Sequence, residues 1–275
     1  IFIITLTLFT LGSCNEPKKE TPKEETQVFD YDVDKFADIE ILRFQVDQWE
    51  NLSLQQKTLI YYLSEASNCG RDIVFDQNYK HNLDIKIALE NIIESYSGDK
   101  CSADFEKFMV YVKRFWFSNG IHHHYSNAKF FPEIEKSYFY SLLDKSDING
   151  FQLSENITYD TYKTWITDLI FNPNIAPLKI SQDNSKDLIT QSASNFYQDV
   201  TENEATSFYH KLENKMNGKD PKRPIAVGLN SQLVKEKGKI VEKTYKIGGL
   251  YSASLEKVVY WLELALTVTE NETQK

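Results

Sequence analysis

The sequence predicts an α+β protein that is predominantly helical with a small β-sheet core. Three observations carry this expectation. Apolar residues recur at three- and four-residue spacing in successive stretches between Leu52 and Leu266, the period of a helix with one buried face. Helix stop signals fall at the ends of those stretches, at Gly70, Ser97-Gly98 and Asn119-Gly120. Two short runs flank Lys237-Gly238 as the arms of a hairpin would.

In chain order, Ile1 to Leu11 is apolar or hydroxylated throughout, which suits the hydrophobic region of a signal peptide and is too short to span a bilayer. It runs into Leu11-Gly12-Ser13-Cys14, small residues before a cysteine, the pattern that a lipoprotein signal peptidase reads. The expectation is a signal peptide over 1–13, lipid on Cys14 and a protein held at the membrane outside the cytoplasm, in the periplasm or at the outer membrane of a bacterial envelope. No Met or basic region precedes Ile1, so a truncated start is expected. Residues 15–26 are Asn, Lys, Glu, Pro and Thr, which cannot bury enough surface to offset their ordering entropy, so 14–30 reads as a solvated tether. Asp30, Asp32 and Asp34 alternate as a calcium loop might, but the Gly and distal Glu of that motif are missing and the segment reads as a solvated entry.

The folded part is expected over 31–275. Leu52 to Ala66 forms a core-facing helix through Leu52, Leu59, Leu63 and Ala66, with Gly70 as its C-terminal cap. Leu83 to Tyr96 follows, with Ile85, Ala88, Leu89, Ile92 and Tyr96 on one stripe. Ala103 to Phe117 places Phe105, Phe108, Met109, Val112 and Trp116 on one face. Helical pieces resume at Glu133 to Leu143 and Thr158 to Phe171, before Asn172-Pro173-Asn174 and Pro177 break the pattern. Asn203 to Met216 is another helix, and Ile225 to Val234 with Lys239 to Ile247 makes a hairpin. A last helix, capped by Ser252 or Ser254, runs to about Thr269; being apolar on most sides, it is expected to be buried and to need partners beyond Lys275.

Hydrophobic residues at 41% and aromatics at 13% suffice for one large domain or two small ones. A net charge of -9 without a long basic run excludes nucleic acid as partner. Cys69 and Cys101 could pair in an exported protein, or be two buried apolar thiols.

The conspicuous polar feature is His122-His123-His124, three of the five histidines, in the loop after a helix stop. Imidazoles cluster where metals or protons are handled, yet adjacent side chains point in different directions and no HExxH, CxxC or carboxylate in ligand register stands beside the triplet. The alternatives are a loop in which one imidazole caps the helix and another stacks on Tyr125 or Trp116, and a ligand-binding loop. No GxSxG elbow, cysteine with a neighbouring base or glycine-rich phosphate cradle is present.

Longer blocks say more. Residues 69–79 (CGRDIVFDQNY), 113–126 (KRFWFSNGIHHHYS), 228–233 (GLNSQL) and 248–252 (GGLYS) resemble, in the same order, the amino-terminal half of bacterial dipeptidyl peptidase III enzymes. The resemblance covers roughly Leu52 to Lys275. It implies a zinc exopeptidase that removes dipeptides from the amino end of short peptides, built as two lobes around a wide cleft. It also implies that this chain is the lobe with a β-barrel core dressed with helices. The family's zinc lobe carries HExxGH and a downstream glutamate, and none of this occurs here, so the chain alone is expected to be inactive and to bind no zinc, the zinc belonging to the full-length enzyme. The resemblance assigns the cleft wall to the loop from Asn119 to Phe131, with Asn119, Gly120, His122, His123, His124 and Tyr125 as substrate-binding candidates and Tyr125 as the aromatic residue that contacts the peptide. Asn230 and Tyr251 are further candidates, each also readable as a turn or core residue. A non-enzymatic peptide-binding lipoprotein of the cell envelope is the alternative, distinguished by whether the reading frame continues to HExxGH.

Overall fold

The computed structural model describes residues 29–217 and 230–275; the signal peptide, Cys14, nearly all of the tether and the 225–229 part of the first hairpin arm lie outside the described residues. The first element is unforeseen. β1 (Asp32–Phe36) and β2 (Ile39–Leu42) pair antiparallel, so Asp32 and Asp34 sit on a strand instead of an irregular entry. The hairpin bends through Ala37 at φ 50° and seats Phe36 and Ile39 inward. Lys113 clamps it to the body by a 2.6 Å ion pair with Asp34.

α1 (Leu54–Cys69) starts from a capping box, Ser53 Oγ accepting from the Gln56 amide while Gln56 Oε1 accepts from the Ser53 amide. Gly70 ends it as expected, but in a right-handed conformation that lets the chain restart as α2 (Arg71–Asn78), a helix the apolar pattern did not announce. α3 (Asn82–Ser95) buries Ile85, Ala88, Leu89 and Ile92, the stripe read from the sequence. α4 (Ala103–Ser118) buries Phe105, Phe108, Tyr111, Val112 and Phe115. Its inward face is rotated from the expected one: Met109 and Trp116 pack only at the margin of the core. Asn119 then turns left-handed at φ 52° and stops the helix.

α5 (Lys136–Asp144) and α6 (Tyr159–Phe171) complete one large core, to which Phe139, Leu142, Leu143, Ile166, Leu169 and Ile170 contribute. The remainder is smaller. β3 (Tyr197–Gln198) runs parallel to β4 (Ser231–Glu236), with α7 (Glu202–Asn217) as the crossover, and β4 pairs antiparallel with β5 (Lys239–Thr244). The predicted hairpin turns at Lys237 and Gly238, both at positive φ, as a type I′ turn requires. Val200, Ala205 and Leu233 form a second, minor core beneath this sheet.

Two expectations are corrected. The described sheets have two and three strands and neither closes into a barrel, because so few strands cannot curl back to satisfy their own edges. And α8 (Ser252–Leu266) is not buried: only Ala265 is inaccessible, while Tyr260, Leu262 and Leu266 stand in solvent. Its described helical neighbour is α1, laid antiparallel so that Gln55 Nε2 donates to the Thr269 carbonyl, with Trp261 packed against both Tyr61 and Tyr62, the three ring centroids 5.8 Å from one another. The α1 face is exposed for the same reason, with Leu54, Ile60, Tyr61 and Leu63 outward. The N-cap of α8 is Tyr251, neither predicted serine; Ser252 Oγ accepts from the Gly248 amide and donates to Glu256.

Candidate functional site

The loop after α4 is built on Asn82. This fully buried side chain donates from Nδ2 to the Phe75 carbonyl at 2.9 Å and accepts at Oδ1 from the Ile121 amide at 3.3 Å. The Asn119 carbonyl accepts from Asn78 Nδ2 at 2.9 Å, so α2 and α3 both grip the turn. Gly120 is obligatory there: φ is 137°, and a Cβ would meet Asn82 at 2.0 Å. Asn119 and Gly120 thus serve the backbone. The loop then doubles back, His123 donating from its amide to Ala128 O at 2.8 Å and Phe130 to Ile121 O at 3.1 Å.

The three imidazoles part company. His122 is buried, and because a carbonyl can only accept, its Nε2 donates to Ala176 O at 2.8 Å; burial drops its pKa to about 4, so the ring is neutral. Its Nδ1 is buried without a hydrogen-bond partner among the described residues. His123 accepts at Nδ1 from the Tyr125 and Ser126 amides, both at 3.2 Å, which leaves Nε2–H to donate to Asp38 at 3.2 Å. That hydrogen bond holds the Asp38 carboxyl below its usual range. His124 lies between aromatic rings, 4.4 Å from His123, 4.3 Å from Tyr125 and 5.0 Å from Phe117, and partial burial lowers its pKa. The sequence offered stacking of one imidazole on Tyr125 as an alternative to metal binding; His124 does pack against Tyr125, with the two rings tilted by 49°.

A zinc ion does not fit this donor set. His122 Nε2 and both His123 nitrogens are occupied by protein hydrogen bonds, and no group of three or more His, Cys, Asp or Glu is placed to hold a metal among the described residues. Cys69 and Cys101 are free thiols. What the loop offers outward is Tyr125, 85% exposed, above the His123 and His124 rings.

The second group of candidates gathers at Asp76 of α2. Tyr251 donates its hydroxyl to Asp76 Oδ2 at 2.5 Å, and Asn195 Nδ2 donates to the same oxygen at 3.1 Å. Asn195 in turn receives Gln232 Nε2 on both its oxygens, at 2.9 and 2.8 Å, and donates its amide to Gln77 O at 2.8 Å. Burial and the Asp76 charge push the Tyr251 phenol far up, so it stays a donor. Tyr251 also holds φ at 64°, a strained conformation for a tyrosine that the surroundings must enforce. Asn230 joins only through its backbone, its carbonyl accepting from the Tyr245 amide at 2.9 Å, and its side chain is exposed.

The predicted residues therefore fall into two groups, the histidine loop and the Asp76 cluster, joined through α2. No family model matches the chain, and no curated protein matches it. Sequence reasoning missed Asp38, Asp76, Asn195 and Gln232. Asp76 and Gln232 stood inside the blocks that carried the resemblance; Asp38 and Asn195 had no local signal, because only the fold brings them to their partners. A cavity of about 500 Å³ runs beside the loop, lined by Tyr79, Ala176, Pro177, Ser194, Asn195 and Tyr197 among others, and none of the predicted residues lines it.

Proposed function

We propose that this chain is the substrate-cleft portion of a lipid-anchored zinc dipeptidyl peptidase of the dipeptidyl peptidase III kind, acting on the amino end of short peptides outside the cytoplasm. The observation that supports it is the convergence of the four blocks on which the resemblance rests. Asn78 of the first block holds Asn119 of the second, Asp76 of the first holds Tyr251 of the fourth, and Gln232 of the third reaches Asp76 through Asn195. Blocks as far apart as residues 69 and 252 thus belong to one hydrogen-bonded assembly, as a shared binding frame would have them.

The residues present do not fit the zinc, so they are assigned to binding alone. Tyr125 supplies an exposed aromatic wall for a peptide side chain, and the Asn82-braced turn below it keeps that wall rigid before the peptide arrives. The full reading frame is predicted to encode HExxGH downstream. Expressed whole, it should hold zinc and release a dipeptide from a dipeptidyl arylamide; absence of both defeats the enzyme reading, as does a stop codon directly after Lys275 in the intact gene. Tyr125→Ala in that protein should raise KM about tenfold with kcat little changed, the pattern of lost uniform binding. Unchanged kinetics would remove Tyr125 from the site.

A further inference from the structure

α1 and α8 both leave apolar residues in water, and on α8 that exposure is patterned. Leu255, Val259, Leu262 and Leu266 succeed one another at intervals of four, three and four residues, which sets them in one stripe along the helix. Leu255 is half-buried, while Val259, Leu262 and Leu266 are 37%, 41% and 44% exposed, so a continuous apolar row is open to contact. Glu256 and Glu263 border the stripe on its solvent side, both exposed; Val258 and Ala265 border it on the other, half-buried and buried. α1 carries a matching row. Gln56, Ile60 and Leu63 share one side of it by the same spacing, and Ile60 and Leu63 are exposed.

The chain turns toward that row as soon as α8 ends. Gln56 Nε2 donates to Glu270 Oε1 at 2.9 Å, which fixes the turn on the side of α1 that carries Ile60 and Leu63. The next residue opens a second helix. Asn271 Oδ1 accepts from the Gln274 amide at 3.0 Å, as an N-cap side chain does from the third residue after it, and the Lys275 amide donates to the Asn271 carbonyl at 3.2 Å, the bond that closes a first helical turn. Only residues 267–270 separate this cap from α8, and so short a connection sets consecutive helices antiparallel.

We propose that the helix begun at Asn271 runs back along α8, covers the stripe from Leu266 to Leu255 together with Ile60 and Leu63 of α1, and presents Lys or Arg side chains to Glu256 and Glu263. The inference rests on the reading that the frame runs on past Lys275. The stripe is about 16 Å long, the rise of about eleven helical residues. A helix with its own apolar row would remove both exposed rows from water at once, and cations along its edge would meet the acidic border. A second copy of α8 fits worse. Two such stripes laid antiparallel would bring the glutamates of one against those of the other, and laid parallel they would need the border that Val258 and Ala265 have already turned inward.

The test is hydroxyl-radical labelling read by mass spectrometry, on this chain and on the product of the whole reading frame. Labelling of Leu262 and Leu266 should fall to about a tenth or less in the whole product as the stripe leaves solvent, while Tyr260, on another side of α8 and 57% exposed, should keep its level. Glu263→Lys in the whole product should raise labelling of the stripe about threefold by opposing like charges, whereas Lys257→Glu, away from the stripe, should not. Unchanged labelling of Leu262 and Leu266, protection of Tyr260 in their place, or no effect of Glu263→Lys would overturn the proposal. So would a dimer of the whole product that Leu262→Lys dissolves, which would give the stripe to a second copy, or a stop codon directly after Lys275. Protection in a product without HExxGH would uphold the helix and defeat the enzyme reading alone; HExxGH with the stripe still labelled would do the reverse.

Discussion

Gly120 shows how little freedom the candidate loop has. An alanine Cβ would collide with an Asn82 side chain that is already bonded to Phe75 and Ile121, and the backbone angle of 137° is foreign to alanine. Gly120→Ala should therefore lower stability by about 3 kcal/mol or more, read from the urea midpoint. His122 gives a pH signature. Its folded pKa of about 4 lies below the ordinary 6.5, so between those values the unfolded chain binds the proton and the folded one does not. Stability is fully present above pH 6.5 and falls by about 3 kcal/mol as pH drops to 4, then flattens. His122→Gln should remove that slope from denaturation curves taken across the window. At Asp76, Tyr251→Phe should cost about 1–3 kcal/mol by deleting the hydroxyl bonded to a charged partner, with α8 amides exchanging faster.

At the scale of elements, α1 and α8 depend on each other. Trp261 packs against both Tyr61 and Tyr62, so Trp261→Ala should cost about 2–4 kcal/mol and release hydrogen-exchange protection in α8 before α3 or α4 is affected. Unchanged protection in α8 would contradict the pairing. The same pair explains why burial of the last helix was misjudged. Leu255, Val258, Val259, Leu262 and Leu266 cover most of its circumference, but one helical neighbour can shield only one side. Helix α3 was read correctly because its apolar stripe is single and that one face is the one it buries against α2, α6 and the Ile148–Phe151 turn. β1, β2 and β3 gave no readable pattern: a five-residue strand rich in Asp, a four-residue strand and a two-residue strand carry too few alternations to register, and they form by pairing with chain far away or across a turn.

For the whole molecule, the two cores differ in size. The helical core draws on α3, α4, α5 and α6, whereas Val200, Ala205 and Leu233 support the sheet. Phe108→Ala in the first should cost about 3–5 kcal/mol of global stability. Slowest amide exchange should likewise map to α3 and α4, with β4 and β5 opening earlier; the reverse order would show that the sheet is the stable unit.

Composition and spacing by themselves determined the helical body, its stop at Asn119-Gly120 and the hairpin at Lys237-Gly238, because each is a local preference of backbone and side chain. The residue blocks also marked which stretches deserve a shared role. Only the tertiary structure decided that those stretches meet at Asp76 and Asn119, that His122 is a buried neutral ring while Tyr125 faces outward, and that no barrel closes in the described sheets. Those outcomes depend on groups distant in the sequence coming within hydrogen-bond reach, 41 residues apart for Asn78 and Asn119, 54 for His122 and Ala176 and 175 for Tyr251 and Asp76, and no local pattern encodes such a distance.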